Sequence, residues 1–195
     1  MSEDDMAPST PAERHREIAA VFADRVRGTT DWDVPAPVEG WDARGVVEHL
    51  TTWYPAFLAG SGVDFPPQPS AADDPVAAWD GHTAAVQALL DDPAVADAPI
   101  DNPHIGSMTL AQATDMIYTT DVFLHTWDLA RATGQDDRMD PQVCAGLVEG
   151  MAGVEDAMRS SGQYGPRVPV PDDADPQTRL LGFIGRDPSW TPPAG

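Results

Sequence analysis

Residues 109–132 read TLAQATDMIYTTDVFLHTWDLARA, and this stretch decides the fold. At about 100° per residue along a helix, Leu110, Ala113, Ile117 and Leu124 fall within one narrow arc. That pattern predicts a helix with the arc turned to a core. The middle of the same arc carries Thr114, Asp121, His125 and Asp128, with Tyr118 at its edge. These four polar positions follow one another at 7, 4 and 3 residues, the rhythm of buried positions. A buried carboxylate or imidazole is costly unless it is paired or bound to a metal. A row of them on a core-facing arc points to a site.

Outward from this helix, periodicity and capping residues predict the rest. Thr10 caps a helix over 11–28, with Pro11 at its first position and Glu13 completing a capping box. Ile18, Val21, Phe22 and Val26 share one face of it. A second helix, over 42–59, starts at the cap Asp42 and carries a stripe of Val46, Leu50, Trp53 and Phe57. A third fits 74–90, with Pro75 at its first position. Residues 91–108 read as an irregular loop with room for a short strand. A fifth helix covers 141–160, and a short one over 176–184 is capped by Asp175. The PRVPVP segment before that last helix is extended, and residues 1–8 read as a disordered acidic tail. Helices dominate, so the class is all-α: a bundle over 9–165 with a Pro-rich arm, 166–195, packed on it. The link over 60–72 is long enough for a crossover connection.

Composition narrows the function. A chain of 195 residues can bury a proper core as one domain. No apolar run approaches the 18 residues of a membrane helix. The MSEDDM start is acidic where a secretory signal is basic. The single cysteine, Cys144, excludes an internal disulfide and reads as a small buried hydrophobe. These features suit the cytoplasm. The net charge is −21, and all 11 basic residues are arginine. Such a surface repels nucleic acid and anionic membrane.

Asp121 and His125 are four apart, so both can reach one ion from adjacent turns. A third ligand must come from a facing helix, and His49, beside the second-helix stripe, is the best candidate. Two imidazoles and one carboxylate leave open positions. The set suits zinc first, with nickel and iron also accommodated. The simpler alternative is a hydrogen-bonded Asp–His pair. Asp128 lies a turn further along. It suits orienting a ligand histidine, or pairing with an arginine, better than ligation. His15, His82 and His104 have no partner pattern. His82 reads as solvated, and His104 lies in a loop that could line a pocket. Trp53 and Trp127 read as core rather than substrate platform, and Trp53, with Asp128 and Tyr118, as a residue that backs the ligands or lines the pocket.

Two segments resemble a known family. PAPVEGWDARGVVEHL, ending near His49, and DVFLHTWDLARATG, holding Asp121 and His125, resemble the second- and fourth-helix motifs of the mycothiol-dependent maleylpyruvate isomerase-like metal-binding proteins. These belong to the DinB/YfiT-like superfamily. VPVPDDADPQTRLLGFIGRDP also resembles the end of its shorter members. The resemblance implies an up-down-down-up four-helix bundle with a crossover after the second helix. It also implies a metal held by His49, Asp121 and His125, and often a homodimer. The carboxylate is commonly Glu in the isomerase; the shorter Asp121 would draw the ion closer to the fourth helix. The family often has a cysteine where this chain has Val38. The isomerase also carries a C-terminal domain that helps complete its active site, where this chain has a short Pro-rich arm.

Three functions follow as expectations. The first is a metal-dependent transferase or isomerase that uses mycothiol or a similar thiol on a small electrophilic substrate. Metal coordination generates the thiolate at neutral pH. Tyr118 and His104 are its candidate acid–base groups. The second is a hydrolase, with Asp128 as base to a metal-bound water. The third is a non-catalytic module that binds a metal or small molecule.

Overall fold

The computed structural model describes residues 9–102, 105–160 and 162–193. The expected tail over 1–8 and the pocket role of His104 lie outside the described residues. The chain is mostly helical. Helix α1 spans Pro11–Gly28 and opens with the complete Thr10–Glu13 capping box. Helix α2, Ala43–Gly60, starts on Asp42, whose carboxylate accepts from Gly45 N–H at 2.7 Å. Helix α3 is Pro75–Asp91 and α4 the short Pro93–Ala96. An antiparallel hairpin of β1, Pro99–Asn102, and β2, Gly106–Thr109, pairs Ile100 with Met108. The stretch 91–108 is therefore more ordered than its prolines suggest.

The fourth predicted helix is one rod in three parts. Helix α5, Leu110–Ala113, passes through a π-helical turn, Thr114–Thr119, into α6, Thr120–Thr133. Gly134 ends it in the left-handed conformation that glycine adopts without strain. The wider π-turn shifts every later residue around the axis, so the single arc expected from an ideal helix is broken. Ile117 is only half-buried, whereas Tyr118 is wholly buried. Leu124 packs into a different cluster from Leu110 and Ala113.

Helix α1 packs against α3 and the rod, and α2 packs against α3 and α6. Their shared core holds Phe22, Val26, Val46, Val47, Leu50, Tyr54, Trp79, Leu110 and Tyr118. Two expected stripes are thereby displaced. Val21 is exposed, and His15, Ala19 and Ala23 take the inner face of α1 with Phe22 and Val26. On α2 Val46 and Leu50 are buried as expected, but the buried line continues through Tyr54 and Leu58 with Val47 beside it, while Trp53 and Phe57 flank it. His82, expected in solvent, is fully buried.

A second cluster covers the other side of α6. Phe123, Leu124 and Trp127 meet Cys144 of α7, Pro141–Ala152, and Leu180, Leu181, Phe183 and Ile184 of α9, Pro176–Ile184. The expected 141–160 helix breaks after Ala152 and resumes as α8, Glu155–Ser160. Burial pushes the Cys144 thiol up to about 12, as suits a packing residue rather than a nucleophile.

The arm is held by backbone contacts. Val168 N–H donates to Gly182 O at 2.9 Å, and a Cβ at Gly182 would stand 2.7 Å from Val168 O. Arg131 donates to the carbonyls of Trp190 and Pro188 at 2.8 and 3.1 Å. Gly182→Ala should therefore lift the extended segment off α9 and cost about 1–3 kcal/mol in a denaturant titration. An unchanged midpoint would refute this close packing.

Burial lowers His15 to about 4 and His82 to about 3, so both are neutral in the folded chain. The unfolded chain takes up protons at these residues below about pH 6.5. The stability they confer is thus full above that pH and drains as the pH falls, by about 2–3 kcal/mol for each at about pH 4.5. Melting temperature should drop on acidification, and less steeply in a His15→Gln/His82→Gln double variant. An equal slope in both proteins would refute the assignment.

Candidate metal centre

His49 reaches the rod because the segment before α2 fixes its start. Pro35 and Asp42 form an isolated β-bridge, Ala43 N–H donates to Val34 O at 2.9 Å, and Arg44 N–H donates to Trp32 O at 3.0 Å. Two turns on, His49 faces Asp121. Its Nε2 lies 3.0 Å from Asp121 Oδ2, and His125 Nε2 lies 3.4 Å from Asp121 Oδ1. One ligand atom from each of the three residues lies within 4.8 Å of the others. Ligands about 2.1 Å from a tetrahedral ion stand about 3.4 Å apart, so small side-chain rotations would close the three around a cation. His49 and Asp121 are partly exposed while His125 is buried, which leaves an approach from one side.

The surroundings fix the two ligands on α6. Trp53 donates its indole N–H to Asp121 Oδ2 at 2.9 Å. Trp53 stands half-buried beside Asp121 with its polar edge in use. His125 Nδ1 lies 2.8 Å from Asp128 Oδ2. When Nδ1 carries the proton and donates it to Asp128, Nε2 presents its lone pair to the Asp121 side, the arrangement typical of metal-bound imidazole. Arg186 grips Asp128 from behind as a fork, Nε to Oδ1 at 2.8 Å and Nη2 to Oδ2 at 2.9 Å. Asp128 thus makes both contacts open to it from sequence, to the histidine and to an arginine.

Electrostatics follow the same partners. Burial alone would raise the Asp121 carboxyl, but His125 and His49 outweigh it and hold it below the usual range. Burial likewise disfavours charge on His125, yet Asp121 and Asp128 win and raise it. Asp128, against its own burial, is lowered by His125 and Arg186. It is therefore held as an anion. Tyr118 is fully buried and raised well above its ordinary value, first by burial. Its hydroxyl therefore stays protonated at neutral pH.

Chemistry-bearing neighbours missed in sequence are Trp41 and Arg186. Trp41 packs across both histidines, with ring centroids 4.9 Å from His49 and 5.6 Å from His125. It immediately precedes the α2 cap, a position that helix periodicity does not read. Arg186 lies beyond the end of α9, in a segment whose docking only the fold reveals.

The chain is similar to two uncharacterized proteins of Mycobacterium tuberculosis, from strains H37Rv and CDC 1551 / Oshkosh. Each is 29% identical over 178 residues, covering 87% of this chain and 89% of its own length. No protein-family model matches the chain, and no solved structure matches it.

Asp128→Asn keeps the shape but removes the charge that His125 and Arg186 share. Zinc affinity, read by competition with a chromogenic chelator, should fall about 10–100-fold. Unchanged affinity would show that Asp128 does not orient His125 for binding.

Proposed function

We propose that this chain is a divalent-metal protein, and that it serves as a thiol-dependent transferase or isomerase for a small electrophile. The observation that carries the reading is the His49–Asp121–His125 cluster with Asp128 locked behind His125. A buried carboxylate backing one imidazole of a His/Asp/His set is the usual support of a metal-ligating histidine. The motifs around both helices favour a relationship to the maleylpyruvate isomerase-like group. The packing of α1 and α2 each against both α3 and α6 favours the DinB-like up-down-down-up bundle.

In this reading His49, Asp121 and His125 hold the ion, zinc by donor preference and nickel or iron by the same ligands. A bound ion would supply Lewis acidity at an open position, favouring the thiolate form of mycothiol or a similar small thiol. Asp128 and Arg186 keep Nε2 of His125 directed at the ligand position. Trp53 holds one oxygen of Asp121, and Trp41 screens the histidine pair, so the partly exposed side of Asp121 and His49 is left for thiol and substrate. The hydrolytic alternative loses its base, because both oxygens of Asp128 are committed.

The test is metal content, by inductively coupled plasma mass spectrometry on protein purified without a histidine tag. Near-stoichiometric metal should be present in the parent chain and lost in His49→Ala and His125→Ala. Metal-loaded protein should then consume a chloro-dinitro arene only when thiol is added, and a chelator should abolish this. Bound metal without thiol-dependent turnover would leave a binding module. A parent chain without metal, and with no change in melting temperature on adding zinc, nickel or iron, would overturn the metal centre itself.

A further inference from the structure

A second group of polar side chains lies deep in the core, apart from the metal ligands. His15 comes from α1, Trp79 and His82 from α3, and Tyr118 from the π-turn, and all four are fully buried. Their rings form a file: Trp79 to His82 at 6.3 Å, His82 to Tyr118 at 5.6 Å, Tyr118 to His15 at 5.8 Å. His15 Nδ1 lies 3.2 Å from Thr119 Oγ1. Among the described residues, His15 Nε2, Trp79 Nε1, both ring nitrogens of His82 and the Tyr118 hydroxyl have no hydrogen-bond partner. One such atom in a core is costly. Five in one file, drawn from three elements, mark a place where something is bound.

The donor and acceptor inventory selects the guest. Trp79 can only donate. Neutral His82 offers one donor and one acceptor, and the Tyr118 hydroxyl offers both. An anion would satisfy only the donors and a cation only the acceptors. A cation would also lack a spare counter-charge. Asp115 is bound by Arg14 at 2.6 and 2.7 Å, and Asp91 by Arg16 at 2.9 Å. Burial keeps both histidines neutral, consistent with an uncharged site.

We infer that His15, Trp79, His82 and Tyr118 form an internal binding site for small neutral molecules that both donate and accept hydrogen bonds, with water the occupant that this donor and acceptor set fits. The π-turn is part of this site, because its shifted register turns the Tyr118 side chain inward. The site backs onto the metal centre through Trp53, whose ring lies 5.8 Å from that of Tyr118 and whose N–H is bound to Asp121.

Tyr118→Phe removes a single oxygen and leaves the ring. If the hydroxyl is held by a guest, melting temperature should fall, by about 3–6 °C. If the hydroxyl is orphaned, its removal should raise the melting temperature, which would overturn the inference. Oxygen-17 magnetic relaxation dispersion of the solvent should show long-lived internal water in the parent chain. That signal should diminish in Tyr118→Phe and again in Tyr118→Phe/His82→Phe. An unchanged signal would overturn the inference. So would a stability difference that a chelator abolishes, since the guest would then be a metal ion. Both readouts are independent of thiol-dependent turnover.

Discussion

The contact on which most of this structure depends is the buried carboxylate of Asp128 between His125 and Arg186. It is an anion buried away from solvent, and it is stable there because it has partners on both sides. Each partner belongs to a different part of the molecule. His125 belongs to the His/Asp/His cluster and Arg186 to the C-terminal arm. Removing one partner from such a pair typically costs about 3–5 kcal/mol, because the other charge is left buried alone. The arm is thereby bound to the chemistry of the site as well as to the apolar surface of α6. A chain lacking the Arg186 segment would expose Phe123, Leu124 and Trp127 and leave Asp128 with His125 as its one charged partner.

This explains why α6 is so apolar for a helix that carries a charged site. It faces two cores. Val122 and Leu129 enter the core shared with α1, α2 and α3, while Phe123, Leu124 and Trp127 enter the cluster under α7 and α9. Between the two faces a narrow polar strip remains, and Asp121, His125 and Asp128 occupy it. The strip is rigid because both flanks are packed. Rigid backing is what a metal centre needs, since an ion gains most when its ligands are held near their bound geometry.

The helices were legible in sequence because their signals are local. Thr10, Asp42, Asp74, Asp140 and Asp175 each cap a helix through their own side chains, four of them with Pro at the next position, and Gly134 ends the long rod. The proximity of His49, Asp121 and His125 was legible too, because spacing places Asp121 and His125 on one side of a helix and His49 beside the stripe of a facing one. What escaped reading is non-local or irregular. The π-turn has no clear sequence mark, and by shifting the register it moved Ile117, Tyr118 and Leu124 away from their expected surroundings. His82 was misplaced because a histidine between Gly81 and Thr83 looks polar in one dimension. The fold surrounds it with Phe65, Trp79 and Tyr118. Arg186 and Trp41 act across chain distances that helical periodicity cannot register.

The core therefore shifts its imidazoles in two opposite directions, set by their neighbours. His125 lies between two carboxylates, and these overcome the cost of burial and favour its charged form. A divalent cation at Nε2 would answer the same field by replacing the proton, so the negative charge that raises His125 is also what would make the position attractive to metal. His15 and His82 are comparably buried, but the acids nearest to them are already neutralised by Arg14 and Arg16, and burial prevails. Neutral imidazoles without nearby free anions are poor cation traps and good hydrogen-bonding partners. Trp53 and Tyr118 form the wall between the two environments. Their wide rings keep the charge of Asp121 on one side and the neutral polar file on the other. The same helix rod can thus serve coordination at its partly exposed strip and neutral hydrogen bonding in its interior, because the π-turn rotates one set of side chains out of line with the other.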